Sequence, residues 1–140
     1  MLRRLRRTLF TAVHRLRLVL RRLRGPGDPG VHAVALTPEG NVVLVLLTYA
    51  PGWRIPGGGR KRGEPPLEAM LRELREEIGL VSHGAAVALD PESTLFRVDD
   101  VEYRPRPSLE VEAVREFAPD SLPDDAAPWT KARIEFALRA

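Results

Sequence analysis

The 140-residue chain has 44% hydrophobic residues, enough for one domain with a packed core, and no cysteine, which excludes disulfides and thiolate metal sites. Its net charge of +3 conceals two parts of opposite sign. Residues 1–24 carry nine arginines and no acid, which leaves 13 basic against 19 acidic residues, a net charge of −6, in residues 25–140. The pI of 9.9 therefore describes a cationic N-terminal segment, and we predict no specific nucleic-acid partner.

Residues 1–24 are predicted to form an arginine-rich amphipathic helix, followed by a linker, "GPGDPG", at residues 25–30. Arginines interrupt the apolar stripe too often for a membrane span, which needs about 20 apolar residues, or for a secretory signal. Three roles stay open. The helix packs on the domain or on a second copy of the chain, lies on an anionic membrane surface, or serves as a presequence or nucleic-acid arm. The stripe contains a heptad of leucines: Leu2, Leu9, Leu16 and Leu23.

The next segments predict strands. Residues 31–37, "VHAVALT", and residues 41–50, "NVVLVLLTYA", are β-branched runs separated by "PEG" at residues 38–40, which indicates a hairpin. The second run is almost wholly apolar, so we expect a central strand buried on both faces. Residues 84–90, 93–100 and 109–117 are further candidate strands.

Two helices are predicted in this part of the chain. The first begins at Pro65 and Pro66 and ends at Gly79. Its predicted buried stripe consists of leucine and isoleucine at spacings of four, three and four: Leu67, Leu71, Leu74 and Ile78. A shorter helix ends the chain, with three apolar anchors: Trp129, Ile134 and Phe136. Residues 31–140 are thereby predicted to form one mixed α/β layered domain.

Three glutamates of the first helix suggest chemistry. Glu73, Glu76 and Glu77 stand at i, i+3 and i+4, so we expect them to converge on one face, away from the leucine stripe. Carboxylates this close repel one another unless a cation or an arginine lies between them, and hard oxygen ligands suit Mg²⁺ or Mn²⁺. The alternative is a solvated acidic helix face.

The stretch "PGGGRKRGEPPLEAMLRELREEIGL", residues 56–80, resembles the signature of the Nudix hydrolase family, and the lead-in "GWRIPGGG" is similar too. Residues 58–80 carry the box, a weaker likeness runs over residues 31–122, and residues 1–24 lie outside it. The matching positions run from the loop into the helix: Gly58, Glu64, Arg72, Glu73, Leu74, Glu76, Glu77, Gly79 and Leu80.

The resemblance implies an α/β/α sandwich with a mixed sheet that hydrolyses a nucleoside diphosphate linked to another group. It assigns Glu73, Glu76 and Glu77 as metal ligands for Mg²⁺ or Mn²⁺, with one glutamate as base for a metal-bound water. Arg72 and Glu64 match the pair that braces the loop and helix. Three glycines let the backbone come close to a ligand: Gly57, Gly58 and Gly59.

Two features depart from the family pattern. The loop carries Arg60, Lys61 and Arg62, where relatives commonly have an apolar residue and an acid, and these cations either engage phosphate or face solvent. The second half is also abbreviated. The family often adds a distal carboxylate in that region, and Glu110, Glu112 and Glu116 compete for it, with Glu110 first and Glu112 second by position before "LP". The alternative is that either one is a surface acid.

The chain thus resembles cytoplasmic metal-dependent pyrophosphohydrolases of the Nudix type. A nucleotide-type small molecule is the expected substrate, with phosphorus attacked by activated water. The N-terminal helix adds an expected peripheral membrane contact or homodimer. The rival interpretation is an inactive Nudix-fold nucleotide-binding or regulatory module that this helix tethers to a membrane or a partner. Five aromatic side chains are candidates to stack on a base, with core packing as the alternative: Tyr49, Trp53, Phe96, Tyr103 and Phe117.

Overall fold

The computed structural model describes residues 30–140 and four earlier positions, Leu5, Thr8, Leu9 and Ala12, all four of them helical. The rest of the predicted helix over residues 1–24, and the predicted linker up to residue 29, lie outside the described residues, so these boundaries stay predictions. Within the part that is described, no helix is both long and apolar enough to cross a membrane.

Residues 30–140 form nine β-strands and two α-helices. The helices are α1 (Pro66–Ile78) and α2 (Pro128–Arg139). The strands, in chain order, are β1 (Val31–Ala35), β2 (Val42–Leu47), β3 (Trp53–Arg54), β4 (Gly57–Gly58), β5 (Leu80–Ser82), β6 (Ala86–Ala88), β7 (Leu95–Val98), β8 (Glu102–Tyr103) and β9 (Val111–Phe117).

The strands pair in three groups, ordered β4-β1-β7-β6, β3-β2-β9 and β5-β8. The β1–β7 pair is parallel and the other strand pairs are antiparallel, so the sheet structure is mixed. Strand β2 lies between β3 and β9 and is buried on both faces, which confirms its prediction as a central strand. The predicted mixed α/β class is confirmed as well.

Side chains that alternate along the strands divide the core in two. One buried cluster combines strand residues such as Val31, Val43 and Val45 with the apolar face of α1. The other combines Val34 and Leu44 with α2 and its approach. Because successive strand side chains point to opposite faces, the two helices cover opposite sides of the strands, which is the α/β/α sandwich that was expected.

The predicted hairpin between the first two strands is wrong. The turn itself is present, since the Thr37 N–H donates to the Asn41 carbonyl at 2.9 Å. Beyond it, only an isolated bridge between Leu36 and Val42 joins the strands, which belong to different groups. Both strands are apolar on both faces, and the backbone groups of each are hydrogen-bonded to neighbours on both sides within its own group. The content of β-branched residues alone does not determine which strands pair.

Helix α1 buries the predicted stripe only in part, because Leu71 is half-buried and Leu67 is exposed. Leu67 is 44% exposed, whereas Met70, Leu74 and Ile78 are fully buried. The glutamates were expected to face away from the core, yet the helix also buries Glu73 at 3% exposure and Glu77 at 5%. The prediction counted only apolar positions, and it could not include the glycine loop that covers this second side of the helix.

Two glycines allow close contacts of helix α1, one at its C-terminal end and one in the loop that covers it. Gly79 adopts the left-handed conformation at φ 71°, and its N–H donates to the Leu74 carbonyl, which ends α1 as predicted. A β-carbon there would collide with the Arg104 carbonyl oxygen. At the loop, a β-carbon on Gly58 would lie 2.6 Å from the Glu73 carboxyl carbon. Only glycine fits at position 79, whereas a side chain at position 58 would displace the Glu73 carboxylate.

Helix α2 is anchored by fewer residues than predicted. Ile134 is buried at 1% exposure and Ala137 is fully buried, but Phe136 is 48% exposed. Position 136 lies two residues from Ile134, nearly on the opposite side of the helix, so it cannot share that buried face. Trp129 lies half-buried in the first turn of α2 and packs against the strands.

Candidate active site

The glycine loop is held in place by the edge of the sheet. Strand β4 pairs with β1 so that Gly58 is opposite Val31 and Gly57 is opposite His32. The loop is also tied to α1, because the Gly57 N–H donates to Glu77 Oε2 at 3.2 Å. The backbone of the loop and the carboxylates of the helix thus form one continuous surface.

Arg72 is the centre of the contacts between the loop and the helix. Its Nε and Nη2 donate to the two oxygens of Glu64 at 2.9 and 2.8 Å, a bidentate pair. Nη2 also donates to the Gly59 carbonyl at 2.9 Å. On the other side, Nη1 contacts Glu73 Oε1 at 3.0 Å and Glu76 Oε1 at 3.4 Å. One guanidinium therefore lies between two of the predicted metal ligands and reduces their repulsion.

The electrostatics of this pair are strong. The hydrogen bond from Arg72, together with the Lys61 N–H that donates to Glu64 Oε1 at 3.0 Å, holds the pKa of Glu64 at about 2. The same pair raises the pKa of the Arg72 guanidinium, mainly through its hydrogen bond with Glu64. Both groups stay charged over the range in which proteins are folded, so the loop is fixed to the helix by a permanent ion pair.

The three predicted metal ligands have unequal environments. Glu73 and Glu77 are buried, with one carboxylate oxygen of each facing Arg72 or the loop and the other, Glu73 Oε2 and Glu77 Oε1, also shielded from solvent. The Glu76 side chain is 53% exposed. Among the described residues, no three His, Cys, Asp or Glu side chains are arranged as a complete metal site. Glu73 and Glu77 are therefore both buried, whereas Glu76 lies at the solvent-exposed rim of the site.

The basic loop residues differ in their setting. Arg60 is half-buried, whereas Lys61 and Arg62 are exposed. The turn is rigid, because the Glu64 N–H donates to the Lys61 carbonyl at 2.9 Å and Glu64 accepts from the Lys61 N–H. The positive charges are thus presented at the rim of the same loop, and whether they engage phosphate stays a prediction.

The candidates for a distal carboxylate lie at the start of β9. Glu110 is half-buried, and its carbonyl accepts from Thr48 N at 2.9 Å and from Thr48 Oγ1 at 3.0 Å. Glu112 is exposed and lines a separate cavity of about 490 Å³, which Thr48 and Leu9 also line. Neither side chain lines the cavity that contains Glu77. Their predicted role as ligands stays a prediction.

A cavity of about 270 Å³ opens beside Glu77, and much of its wall consists of residues that no sequence pattern had predicted to lie at the site. Glycines 57 and 58 and Glu77 form one end. The remaining wall comes from β1, from the segment between β2 and the loop, and from the start of α2: His32, Leu47, Tyr49, Ala50, Arg54, Ile55 and Trp129. Of the five proposed aromatic candidates only Tyr49 lines it; Trp53 and Phe96 are core residues. No local pattern marks His32, Arg54 or Trp129, because they are far apart in the chain.

The fold and site define a class: an α/β/α sandwich in which a glycine loop and an acidic helix enclose buried carboxylates beside a cavity. A family model described as the NUDIX domain matches residues 27–137, and the chain belongs to this family. The resemblance drawn from residues 56–80 is thereby confirmed.

Individual relatives agree with this assignment. A MutT NUDIX hydrolase from Burkholderia pseudomallei is 25% identical, with a TM-score of 0.63 over 78% of this chain and 98% of that one. The structure of a UDP-X diphosphatase is 22% identical, with a TM-score of 0.63 over 91% of this chain and 70% of that one. This likeness is one of fold alone. An RNA pyrophosphohydrolase of Xanthomonas campestris pv. campestris (strain B100) is 43% identical over 53 residues, 38% of this chain. That match spans only 26% of the relative's length.

Proposed function

We propose that the chain is a metal-dependent pyrophosphohydrolase that cleaves a nucleoside diphosphate linked to another group. The observation that carries the proposal is the burial of two carboxylates, Glu73 and Glu77, against a loop whose glycines admit close approach of a ligand. Burying carboxylates costs free energy unless a cation or a set of donors compensates.

The residues present fit a divalent cation. Mg²⁺ keeps several waters in proteins and is held by one or two carboxylates together with substrate phosphates, so Glu73 and Glu77 suffice as its direct ligands. Glu76, at the rim beside Arg72, would serve as a third oxygen donor. When bound, the ion neutralises phosphate oxygens and lowers the pKa of a coordinated water.

The rest of the site positions these groups. Arg72 fixes Glu73 from one side while it holds the Gly59 carbonyl and Glu64, so the loop cannot move away from the helix without breaking a bidentate ion pair. The Gly57 N–H orients the Glu77 carboxylate. Preorganised charges of this kind account for most of the catalysis in phosphoryl transfer.

The experiment is a hydrolysis panel with Mg²⁺, with Mn²⁺ and with EDTA. It covers nucleoside triphosphates, dinucleoside polyphosphates, ADP-ribose, nucleotide sugars and, because an RNA pyrophosphohydrolase is among the relatives, a 5′-triphosphorylated RNA oligonucleotide. We expect metal-dependent release of phosphate or nucleotide from at least one substrate. If none of them turns over while nucleotide binding is measurable by calorimetry, the chain is the binding module that the sequence analysis named as the rival.

A further inference from the structure

The cavity beside Glu77 has a composition that the hydrolytic chemistry does not require. A phosphate chain needs cations and backbone N–H groups, yet this cavity has two aromatic rings and an imidazole on its walls, those of Tyr49, Trp129 and His32. Its volume of about 270 Å³ is just below the range of about 300–1,000 Å³ that encloses a drug-sized ligand. It therefore suits a single ring system at one end of a larger substrate.

The aromatic side is built by contacts across the fold. His32 of β1 meets the Trp129 ring edge-on, with centroids 5.5 Å apart and planes at 70°. The guanidinium carbons of Arg54 and Arg133 lie 5.7 and 4.9 Å from the centroid of the same ring. Such cation–π contacts fix the indole, and with it the wall of the cavity, in one orientation.

Arg54 brings hydrogen-bond donors to this wall. Its Nη2 donates to the Pro51 carbonyl at 2.9 Å, and its Nε is buried out of reach of a ligand, so the donors that face the cavity are those of the terminal nitrogens. No carboxylate among the described residues forms an ion pair with Arg54. Guanidinium groups carry donors only, so a ligand beside Arg54 must supply acceptors.

We propose that the cavity holds the nucleobase of the substrate and that Arg54 favours guanine over adenine; this rests on the proposed function of the site. Guanine presents two adjacent acceptors, O6 and N7, which match a guanidinium, whereas adenine places an amino donor beside N7. Tyr49 and Trp129 line the cavity and would border the base. The diphosphate then extends from the cavity across Gly57 and Gly58 to Glu77, all of which border it.

The first test compares kcat/KM for GTP and ATP in the presence of Mg²⁺. We expect the wild type to prefer GTP by about tenfold or more, and Arg54→Ala to lose most of this preference through a raised KM for GTP with a smaller change in kcat. Arg139→Ala, an exposed arginine at the end of α2, is the matched control and should keep the wild-type ratio. Equal use of both nucleotides by the wild type, or an unchanged ratio in Arg54→Ala, would overturn the inference and leave the proposed function standing.

A second test does not depend on turnover. The chain has only two tryptophans, Trp53 and Trp129, so fluorescence can be followed during titration with GDP or ADP in EDTA. We expect GDP to quench the signal at lower concentration than ADP, and Trp129→Phe to remove the quenching, because the remaining Trp53 is a core residue. Quenching that persists in Trp129→Phe would place the base elsewhere. Failure of the hydrolysis panel counts against the proposed function alone, because this titration tests the cavity by itself.

Discussion

The two halves of the site are encoded in different ways. The loop and helix over residues 57–79 form a contiguous segment, in which the same 23 residues carry Gly58, Glu73 and Glu77. The cavity beside it is assembled from residues nearly one hundred positions apart, His32 and Trp129 among them. Chemistry that depends on fixed helical spacings can be read locally, whereas a binding wall made by packing cannot. Substitutions in one half should therefore leave the other half intact.

The largest effect is expected at the contiguous half. Replacing Glu77 by glutamine removes a buried charge beside Gly57, and we expect kcat to fall by at least about 100-fold. Steady-state kinetics at saturating Mg²⁺ provide the measurement, with circular dichroism to check the fold. Glu68→Gln, on the exposed side of the same helix, is the control and should keep near-normal activity. Near-normal turnover in Glu77→Gln would reduce this half to an ordinary acidic helix.

The assembled half is expected to respond through packing. Ile134→Ala removes the buried anchor of α2 and should lower the free energy of unfolding by about 2–4 kcal/mol. Because α2 carries Trp129, KM should rise more than kcat falls. Chemical denaturation and kinetics measure the two effects. Leu138→Ala, at 38% exposure on the same helix, should change stability by far less. A loss of kcat with unchanged KM in Ile134→Ala would show that the two halves are not separable.

A smaller effect tests the ion pair that joins loop and helix. Glu64→Gln should lower the free energy of unfolding by about 1–3 kcal/mol at pH 7, because Arg72 keeps its burial and loses its bidentate partner. The folded-state pKa of Glu64, about 2, lies below the 4.5 of an unperturbed glutamate side chain. The stabilisation is therefore complete above pH 4.5 and is lost as the pH falls toward 2.

Denaturation curves between pH 7 and pH 2 check the sign. The difference in unfolding free energy between the wild type and Glu64→Gln should shrink as the pH falls below 4.5, and an exposed control, Glu135→Gln, should show no such convergence. If the difference in unfolding free energy stays constant down to pH 2, Glu64 stabilises the fold through packing and not through its charge.

The smallest effect on turnover is expected from the N-terminal segment, whose role stays a proposal. Substituting glutamine for four of its nine arginines should leave hydrolysis of small nucleotides unchanged, while co-sedimentation with anionic vesicles should fall. The substituted positions are Arg3, Arg4, Arg6 and Arg7. Equal sedimentation of both proteins would exclude the membrane role. A dimer that dissociates on substitution, measured by sedimentation velocity, would favour packing between copies.

Much of the fold follows from patterns along the chain. Helix α1 and its end at Gly79 were predicted from proline placement and apolar spacing, and β2 from its unbroken apolar run. The short strands β3, β4, β5 and β8 were not predicted, because two or three residues carry no periodicity. The prediction of a hairpin was wrong because a turn signal shows where the chain reverses and does not show which strands then pair.

The sequence by itself determined the family and with it the reaction class, because residues 56–80 carry the Nudix signature, in which a glycine loop directly precedes a helix with carboxylates at fixed spacings. Tertiary structure decided which side of that helix is buried, since the loop covers Glu73 and Glu77 and leaves Leu67 in solvent. It also decided the binding wall, where Arg54 and Trp129 meet only after α2 packs against the strands. Spacing along a helix is a local property of the backbone, whereas contact between distant residues exists only in the packed core.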